Sequence, residues 1–212
     1  MTNKLIYTCV LGIAVAASPS FAQSSNKLTF NIGGGFTEPA GPSNSRLDRG
    51  FNLGAGIGVN IIPAFGVQAE FDYNQLGLQS SLLSAFGAPN GEARIYSATL
   101  NPVIHLNPHG RFDTYFIGGG GYYRRTAEFT QPTITTVIAF DPFFGFFPVG
   151  VPANQVLASY TQNKGGWNAG AGISFRMKQD GNAKFYAESR YHYIYTTPVR
   201  TTVFPVTFGF RW

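Results

Sequence analysis

A two-residue alternation of apolar and polar side chains, repeated along most of the chain, constrains its fold more than any other feature. In "GFNLGAGIGVNI", residues 50–61, the apolar positions run from Phe51 to Ile61, and glycines and asparagines stand between them. The same pattern recurs in "VQAEFDYN", "YSATLN" and "WNAGAGISFR". Because successive side chains of a β-strand point to opposite faces, this alternation predicts strands with one apolar and one polar face.

Two all-β architectures fit such strands. A sandwich buries its apolar faces, whereas a membrane barrel turns its apolar faces to lipid and its polar faces to the lumen. Three features favour the barrel. The segments are about 10–12 residues long, a length that crosses a bilayer at a tilt, and their glycines fall mostly on the polar face, where a narrow lumen needs space. Aromatic residues gather near the segment ends, as in an interfacial girdle: Tyr73, Tyr96, Tyr122, Tyr123, Trp167, Tyr193, Tyr195 and Trp212.

The spacing of the segments predicts eight strands. Connections near "IPAF", "NPHG" and "KQDGN" are short, and those at 37–49, 76–93 and 125–164 are long, as expected for periplasmic turns and extracellular loops. We therefore predict an all-β fold, an eight-stranded antiparallel transmembrane β-barrel. Its strands are expected near residues 27–36, 50–61, 66–75, 94–105, 112–124, 165–176, 183–195 and 203–212.

The first residues predict export. Lys4 precedes an apolar run too short to span a bilayer, and "SPSFAQ" supplies small residues for cleavage after Ala22. We therefore expect a signal peptide over residues 1–22 and a barrel domain over residues 23–212. Cys9 lies in the signal peptide, so the exported chain would contain no disulfide. Removing Lys4 lowers the formal net charge of +5 to +4, which is too mild to indicate nucleic-acid binding.

Five segments carry a resemblance to a known family: "VQAEFDYN", "ATLNPVIHL", "YFIGGGGYYRR", "KFYAESRYHYIY" and the terminal "VTFGFRW". With them the chain resembles the small outer-membrane β-barrel family, which includes the OmpA transmembrane domain and the opacity proteins. The resemblance implies a place in the outer membrane of a Gram-negative bacterium, in contact with lipid and lipopolysaccharide. It also implies a C-terminal insertion signal for the barrel-assembly machinery, formed by Val206, Phe208, Phe210 and Trp212, with tryptophan in place of the usual final phenylalanine.

Six charged residues fall on positions that face the lumen. An eight-stranded barrel is only wide enough to be filled by its own side chains, and an unpaired buried charge is very costly. These charges are therefore expected to pair as an ionic plug that closes the barrel. The alternative is a proton or ion path, which would make the protein a narrow channel for small solutes or hydrophobic molecules. The six are Glu70, Asp72, Arg176, Glu188, Arg190 and Arg211.

The histidines bear on a third interpretation, a lipid A-modifying enzyme. His192 lies among Glu188, Arg190 and tyrosines without a serine two residues after it, and His105 and His109 are at a periplasmic turn. None forms a nucleophile–base pair that the sequence reveals. The three histidines lack metal-ligand spacing, and the glycine runs lack the Lys-Ser/Thr of a phosphate loop. We therefore predict no catalytic residues, no metal and no cofactor.

Several cations lie on the long-loop side, which would face lipopolysaccharide. Arginine can bind phosphate in bidentate fashion, so these residues are candidate lipopolysaccharide contacts, and the alternative is ordinary solvated loop charge. The candidates are Arg46, Arg49, Arg124 and Arg125, with Arg94, Lys164 and Arg200 on the same side.

The segment "DPFFGFFPVG" places Phe143, Phe144, Phe146 and Phe147 on a turn between flanks rich in apolar and β-branched residues. The simplest interpretation extends the fifth and sixth strands beyond the membrane as a hairpin with the phenylalanines at its apex. The alternative adds two membrane strands, giving ten, with the segment as a periplasmic turn. An exposed apolar patch marks an interaction site. We therefore predict a structural and surface-interaction role, in which long loops contact an extracellular ligand or a host surface.

Overall fold

The computed structural model describes residues 28–177 and 183–212. The predicted signal peptide and the predicted turn at "KQDGN" lie outside these described residues. Within the two described ranges, no helix has the length and apolar character needed to cross a membrane.

Eight antiparallel strands form one closed barrel, in which each strand pairs with its neighbours in the sequence and the last pairs with the first. The predicted eight-stranded antiparallel barrel is confirmed. A 3₁₀ turn at Gly41–Ser43 and a short helix, α1 at Ser80–Ala85, lie in connections between strands. The strands are β1 (Leu28–Pro39), β2 (Leu47–Ile62), β3 (Phe65–Leu78), β4 (Asn90–His105), β5 (Phe112–Asp141), β6 (Gly145–Arg176), β7 (Lys184–Ile194) and β8 (Thr201–Arg211).

Pairing between the first and last strands closes the barrel. Ile32 lies opposite Phe210 and Phe36 opposite Val206 in this ladder. The backbone of Trp212 continues the ladder, donating to the carbonyl of Phe30 at 3.0 Å and accepting from its N–H at 2.9 Å. The terminal strand is therefore paired on both sides, and the wall has no open edge in the membrane.

The two faces of the wall differ as the alternation predicts. Leu53, Leu100 and Phe116 project outward and are exposed, whereas Asn52 and Asn101 project inward and are buried. An apolar exterior around a polar interior reverses the arrangement of a water-soluble protein. It is the arrangement that a lipid environment requires of a barrel.

Aromatic side chains form two bands on the outer wall. In the extracellular band, the ring centroids of Trp167 and Tyr193 are 5.5 Å apart, and in the periplasmic band those of Phe112 and Phe175 are 4.9 Å apart. On β6, Trp167 and Phe175 are separated by eight positions, or about 20 Å along the barrel axis at ~3.3 Å per residue and ~40° of tilt. The bands therefore border an apolar belt of membrane dimensions.

The connections at the two ends differ. At the end that carries both strand termini, residues 63–64 and 106–111 form short turns, which are assigned to the periplasm. At the opposite, extracellular end, residues 40–46, 79–89 and 195–200 connect strands. The β5–β6 hairpin also lies at this end.

The predicted long loop at 125–164 is mostly strand. β5 has 30 residues and β6 has 32, and the two stay paired as far as Asp141 and Gly145. Beyond the wall they pair with each other and not with β4 or β7, because those neighbouring ladders end at Thr130 and Gly166. The ten-strand interpretation is therefore wrong, and the segment extends the fifth and sixth strands away from the membrane.

Candidate functional site

Four charged side chains meet in the middle of the lumen. Glu70 comes from β3, Glu188 and Arg190 from β7, and Arg211 from β8, all at inward-facing positions. Arg190 forms ion pairs with both glutamates, and Nη2 of Arg211 lies 3.8 Å from Oε2 of Glu188. No side chain of the four is more than 8% exposed. The structure thus brings together four of the six residues predicted to pair, and we call these four the ionic cluster.

Neutral donors complete the hydrogen bonding of both carboxylates. Oε1 of Glu70 accepts from the side-chain amides of Asn31 at 3.0 Å and Gln68 at 2.5 Å, and its Oε2 accepts from Asn101 at 2.8 Å. The hydroxyl of Tyr115 donates to the other glutamate at 2.8 Å. A buried ion pair is tolerated only when surrounding groups satisfy the remaining polar atoms. The amides and the hydroxyl have this role for the two carboxylates, whereas Nε and Nη2 of Arg211 find no hydrogen-bond partner among the described residues.

Aromatic rings and glycines shape the space around the ionic cluster. The guanidinium carbon of Arg211 lies 4.8 Å from the ring centre of Tyr115 and 5.2 Å from that of Tyr186, within the range of a cation–π interaction. On the adjacent β6, a Cβ atom added to Gly172 would collide with the Tyr115 ring, and one added to Gly170 would lie 2.6 Å from Cα of Arg190. The cluster therefore depends on glycine positions in β6 as well as on its charges.

Asp72 lies beside the ionic cluster, toward the extracellular end. Its Oδ2 accepts a hydrogen bond from Oγ of Ser97 at 3.2 Å. With Glu188, Arg190 and His192 it lines a cavity of about 10 Å³, which is about the room that one water molecule needs. Among the described residues, Asp72 forms no ion pair within 4.0 Å, so it borders the cluster without joining it.

Arg176 does not join the ionic cluster, and its predicted place there is corrected. It lies opposite Lys184 in the β6–β7 ladder, whereas Gly170 is the residue opposite Arg190. The six-residue difference corresponds to about 20 Å along the strand. At the periplasmic end, Nη2 of Arg176 donates to the carbonyl of Pro108 at 3.4 Å. Arg211 lies opposite the same Lys184 from β8 and still reaches Glu188, so the direction of a side chain, as well as its position along the strand, decides which charges meet.

A second group of inward-facing side chains, which the sequence reasoning missed, fills the extracellular end of the lumen with apolar atoms. In β4, Ala93 and Ile95 occupy the inward positions that follow Ser97 toward this end, where a polar face is expected. Leu82 and Leu83 of α1 pack against the group. The sequence does contain a signal for this group: at this end of the strands, apolar residues occupy the inward positions as well as the outward ones. We call the group the apolar cluster; its buried members are Leu47, Leu76, Leu78, Ala88, Ala93, Ile95, Tyr123, Phe129, Ile194 and Val203.

Two of the three histidines form hydrogen bonds, in unrelated environments. Nδ1 of His105 lies 2.5 Å from Oδ2 of Asp113. Oδ1 of Asp113 accepts a hydrogen bond from the backbone N–H of Asn107 at 3.1 Å. The histidine–aspartate pair therefore connects a periplasmic turn to β5. His192 is buried in the lumen with Nδ1 3.2 Å from the hydroxyl of Tyr123. Neither hydrogen bond joins a histidine to a serine, threonine or lysine nucleophile. Within the described part of the chain, no group of three or more His, Cys, Asp or Glu residues could hold a metal.

Three of the four candidate lipopolysaccharide contacts reach the extracellular surface. Arg49 is largely exposed and pairs with Glu38. Arg124 is exposed on the outer face of β5, and Arg46 is half-buried in the connection after β1. Nearby on the outer wall, Arg94 pairs with carboxylates of β4 and β5.

Arg125 faces the opposite way, and its predicted role at the outer surface is corrected. Its Nη1 donates to Oγ1 of Thr201 at 3.0 Å, at the extracellular mouth of the barrel. The physical reason is the strand alternation, since Arg124 and Arg125 are consecutive and must project to opposite sides.

The apex of the β5–β6 hairpin presents phenylalanine rings to solvent on a hydrogen-bonded turn. Phe143 is 92% exposed and Phe144 is 85% exposed. The carboxylate of Asp141 accepts the N–H of Phe143 at 2.7 Å and that of Phe144 at 3.1 Å. Gly145 closes the turn at φ +72°, a conformation that L side chains rarely adopt. The local hydrogen bonds and the conformation of Gly145 therefore fix the turn that exposes these phenylalanines.

The hairpin beyond the wall is almost uncharged and exposes apolar side chains along much of its length. Between Glu128 and Lys164 the sequence contains a single charged residue, Asp141. Ile134 and Ile138, part-way along, are 77% and 74% exposed. A monomeric protein rarely exposes a continuous apolar surface of this kind unless the surface has a partner.

Comparisons with known proteins agree with the architecture. Among solved structures, Neisserial surface protein A (NspA) is 14% identical, with a TM-score of 0.57 over 87% of this chain and 95% of that one. A major outer membrane protein from Thermus thermophilus is 11% identical, with a TM-score of 0.58 over 88% and 98% of the two chains. At such identities the likeness concerns the fold alone. No curated protein sequence matches the chain.

A family model described as "Outer membrane protein beta-barrel domain" matches residues 8–211. This match spans the closed barrel, its lipid-facing wall and its filled lumen. The chain therefore belongs to the outer membrane protein beta-barrel family, and it is a protein of the outer membrane.

Proposed function

We propose that this protein is a structural and surface-interaction barrel, whose lumen is closed and whose β5–β6 hairpin carries the binding surface. The observation that carries the proposal is the hairpin itself, a paired ribbon beyond the wall that ends in exposed phenylalanines. Each phenylalanine that becomes buried on contact contributes about 1.5–3 kcal/mol. Several such rings suffice for specific binding.

Two layers of packing support a closed lumen. The ionic cluster joins β3, β7 and β8 across the middle of the barrel, and the apolar cluster fills its extracellular end. A solute would have to separate buried ion pairs and then displace a packed core, and breaking one buried pair alone costs about 3–5 kcal/mol. The cavity beside Asp72 holds about one water molecule. These features favour the closed barrel over the narrow channel.

The histidine environments favour a non-enzymatic role over a lipid A-modifying enzyme. His105 and its partner Asp113 form a dyad that is used to anchor a turn, and His192 bonds to a tyrosine. General acid–base catalysis needs a positioned histidine within hydrogen-bond reach of a reacting group, and neither residue is at the outer rim, where lipid A lies. Arg49 and Arg124, on the outer surface, are proposed to contact lipopolysaccharide phosphates.

Replacing residues 131–155 by a two-residue Asn-Gly turn tests the proposed function. The junction joins Thr130 to Val156, which are paired across β5 and β6, and Asn-Gly suits a two-residue hairpin. We expect the shortened barrel to reach the outer membrane and keep its folded, heat-modifiable gel band. Cells that carry it should lose adherence to epithelial monolayers and to hexadecane relative to cells with the full chain. Equal adherence of the two strains would refute the role of the hairpin.

Planar-bilayer recording tests the closed lumen separately. The full-length barrel should give no steady conductance, because the ionic cluster and the apolar cluster pack the lumen at two depths. A stable, voltage-independent conductance of the purified barrel would contradict the closed lumen and favour the channel.

A further inference from the structure

We infer that the aromatic tip of the hairpin, residues 140–147, inserts into the apolar layer of an apposed lipid surface. This inference rests on the proposed function and names the partner of the same hairpin as lipid. Four independent features of the hairpin support it: the arrangement of its rings, its backbone donors, its edges and its charge.

The first feature is that the rings surround the tip. Phe140 and Phe146 are cross-strand partners with ring centroids 5.0 Å apart, so both project from one face of the ribbon. Phe147 is the next residue of β6 and projects from the other face. Phe143 and Phe144 lie in the turn itself. A protein groove covers one face of a ribbon, whereas a lipid layer surrounds an inserted tip on all sides.

The second feature is that the turn backbone needs little water. The N–H groups of Phe143 and Phe144 are bound by the Asp141 carboxylate. Pro142 and Pro148 have no N–H group at all. Because an unsatisfied backbone donor is costly in an apolar medium, the internally bound or missing donors of residues 142–144 lower the cost of shallow insertion at the turn itself.

The third feature is that prolines block the free edges of the ribbon. Pro132 lies opposite Asn154, and Pro152 and Pro148 lie opposite Ile134 and Ile138. In an antiparallel ladder, pairs that hydrogen-bond to each other alternate with pairs whose backbone groups point outward. The three prolines are an even number of positions apart along the ladder, so all three lie in pairs of the same kind. Since proline cannot donate, these pairs must be the ones whose backbone groups point away from the partner strand. An added strand would miss hydrogen bonds there, which disfavours strand addition by a protein or by a second copy.

The fourth feature is charge and reach. The ribbon has no Lys or Arg between Glu128 and Lys164, so attraction to anionic headgroups does not contribute to its binding. The twelve positions from Thr130 to Asp141 extend about 40 Å at ~3.3 Å per residue. The tip therefore stands well beyond the barrel's own lipid and meets an apposed surface. Binding should occur on neutral phosphatidylcholine and be insensitive to salt.

Vesicle flotation tests the inference. The full-length barrel, held in lipid nanodiscs, is mixed with phosphatidylcholine vesicles and centrifuged, with empty nanodiscs as the background. A tip variant replaces Phe143, Phe144, Phe146 and Phe147 with serine. A control, Ile134→Ser with Ile138→Ser, removes two exposed apolar side chains from the middle of the ribbon, and a two-residue tip variant, Phe143→Ser with Phe144→Ser, matches it in number. We expect the tip variant to bind vesicles about tenfold more weakly or worse, and the control to bind within about twofold of the full-length barrel.

A fluorescence measurement reports the depth of the tip. In a Phe143→Trp variant, the emission that remains after subtraction of the parent protein's own tryptophan signal should shift to shorter wavelength when vesicles are added. Brominated lipid should quench it. Emission that stays at the water-exposed wavelength would overturn insertion of the tip.

Three outcomes of flotation also overturn the inference. The full-length barrel can fail to float with vesicles, or the control can lose binding as strongly as the tip variant, which would indicate docking of a ribbon face. Barrel-bearing nanodiscs can instead bind each other but not empty nanodiscs, which would indicate a second copy as partner. If flotation fails while hairpin-dependent adherence of cells persists, the proposed function stands and only the lipid assignment falls.

Discussion

The Arg190→Met variant probes the ionic cluster most directly, because one guanidinium pairs with two buried glutamates. Methionine keeps the length of the side chain and removes its charge. Glu70 then retains three amide donors, and Glu188 retains Tyr115 and the more distant Arg211. Two like charges are left close together in a buried site, which is strongly unfavourable.

The expected loss of stability can be bounded. Breaking a buried ion pair typically costs about 3–5 kcal/mol, because it leaves an uncompensated buried charge. The destabilisation of Arg190→Met should therefore be about 3–5 kcal/mol.

Urea unfolding of the barrel in phosphatidylcholine vesicles, followed by tryptophan fluorescence and the heat-modifiable band, measures the effect. Arg176→Met is the matched control, because that arginine lies at the periplasmic end with a 3.4 Å bond to a carbonyl; its change should stay below about 1 kcal/mol. The double variant Glu188→Gln with Arg190→Met should be more stable than Arg190→Met alone. An Arg190→Met barrel within about 1 kcal/mol of the parent, or a double variant no more stable than the single one, would refute the reasoning.

Three further predictions follow from the wall and the hairpin. Deleting Phe210 to Trp212 removes the last paired backbone of β8 and its outward aromatics, so outer-membrane levels on fractionation should collapse; normal levels would contradict the insertion signal. Surface protease should cleave intact cells within residues 125–164, and full protection of that range would argue against an extracellular hairpin. Gly170→Val should abolish the folded gel band, because a Cβ there would lie 2.6 Å from Cα of Arg190; a normal folded yield would show that the wall can shift.

The alternation of side chains was sufficient to predict the barrel and much of the ionic cluster. Strict period two fixes which residues share a face, so Glu70, Glu188, Arg190 and Arg211 could be placed in the lumen without coordinates. It does not fix depth, because the stagger between strands depends on closure of the ring. For that reason the sequence groups Arg176 with Arg190, although the two are offset by six residues, or about 20 Å, along the β6–β7 ladder.

Other features were hidden for different physical reasons. In "YYRR" every residue is large and amphipathic, so the sequence does not say that Arg124 points outward and Arg125 inward; a one-residue shift of register would exchange them. The apolar cluster arises where side chains from β2, β3, β4, β5, β7 and β8 converge with α1, and no single segment reveals it. The ribbon beyond the wall mixes apolar residues with threonines on both faces, so the contrast that marks a strand in the membrane is missing there.

The continuity of β5 and β6 from the periplasmic end to the tip has a mechanical consequence. A pull on the tip, directed away from the cell, acts on both strands of the hairpin in the same direction. The ladder between the two strands is therefore almost unstressed. The tension reaches the β4–β5 and β6–β7 ladders as shear parallel to the strands, where 14 and 11 residue pairs respectively resist at once. Bonds that break together withstand more force than bonds that open one after another. A cell held by this tip would therefore be anchored through the barrel wall itself, and detachment should occur at the tip before the barrel gives way.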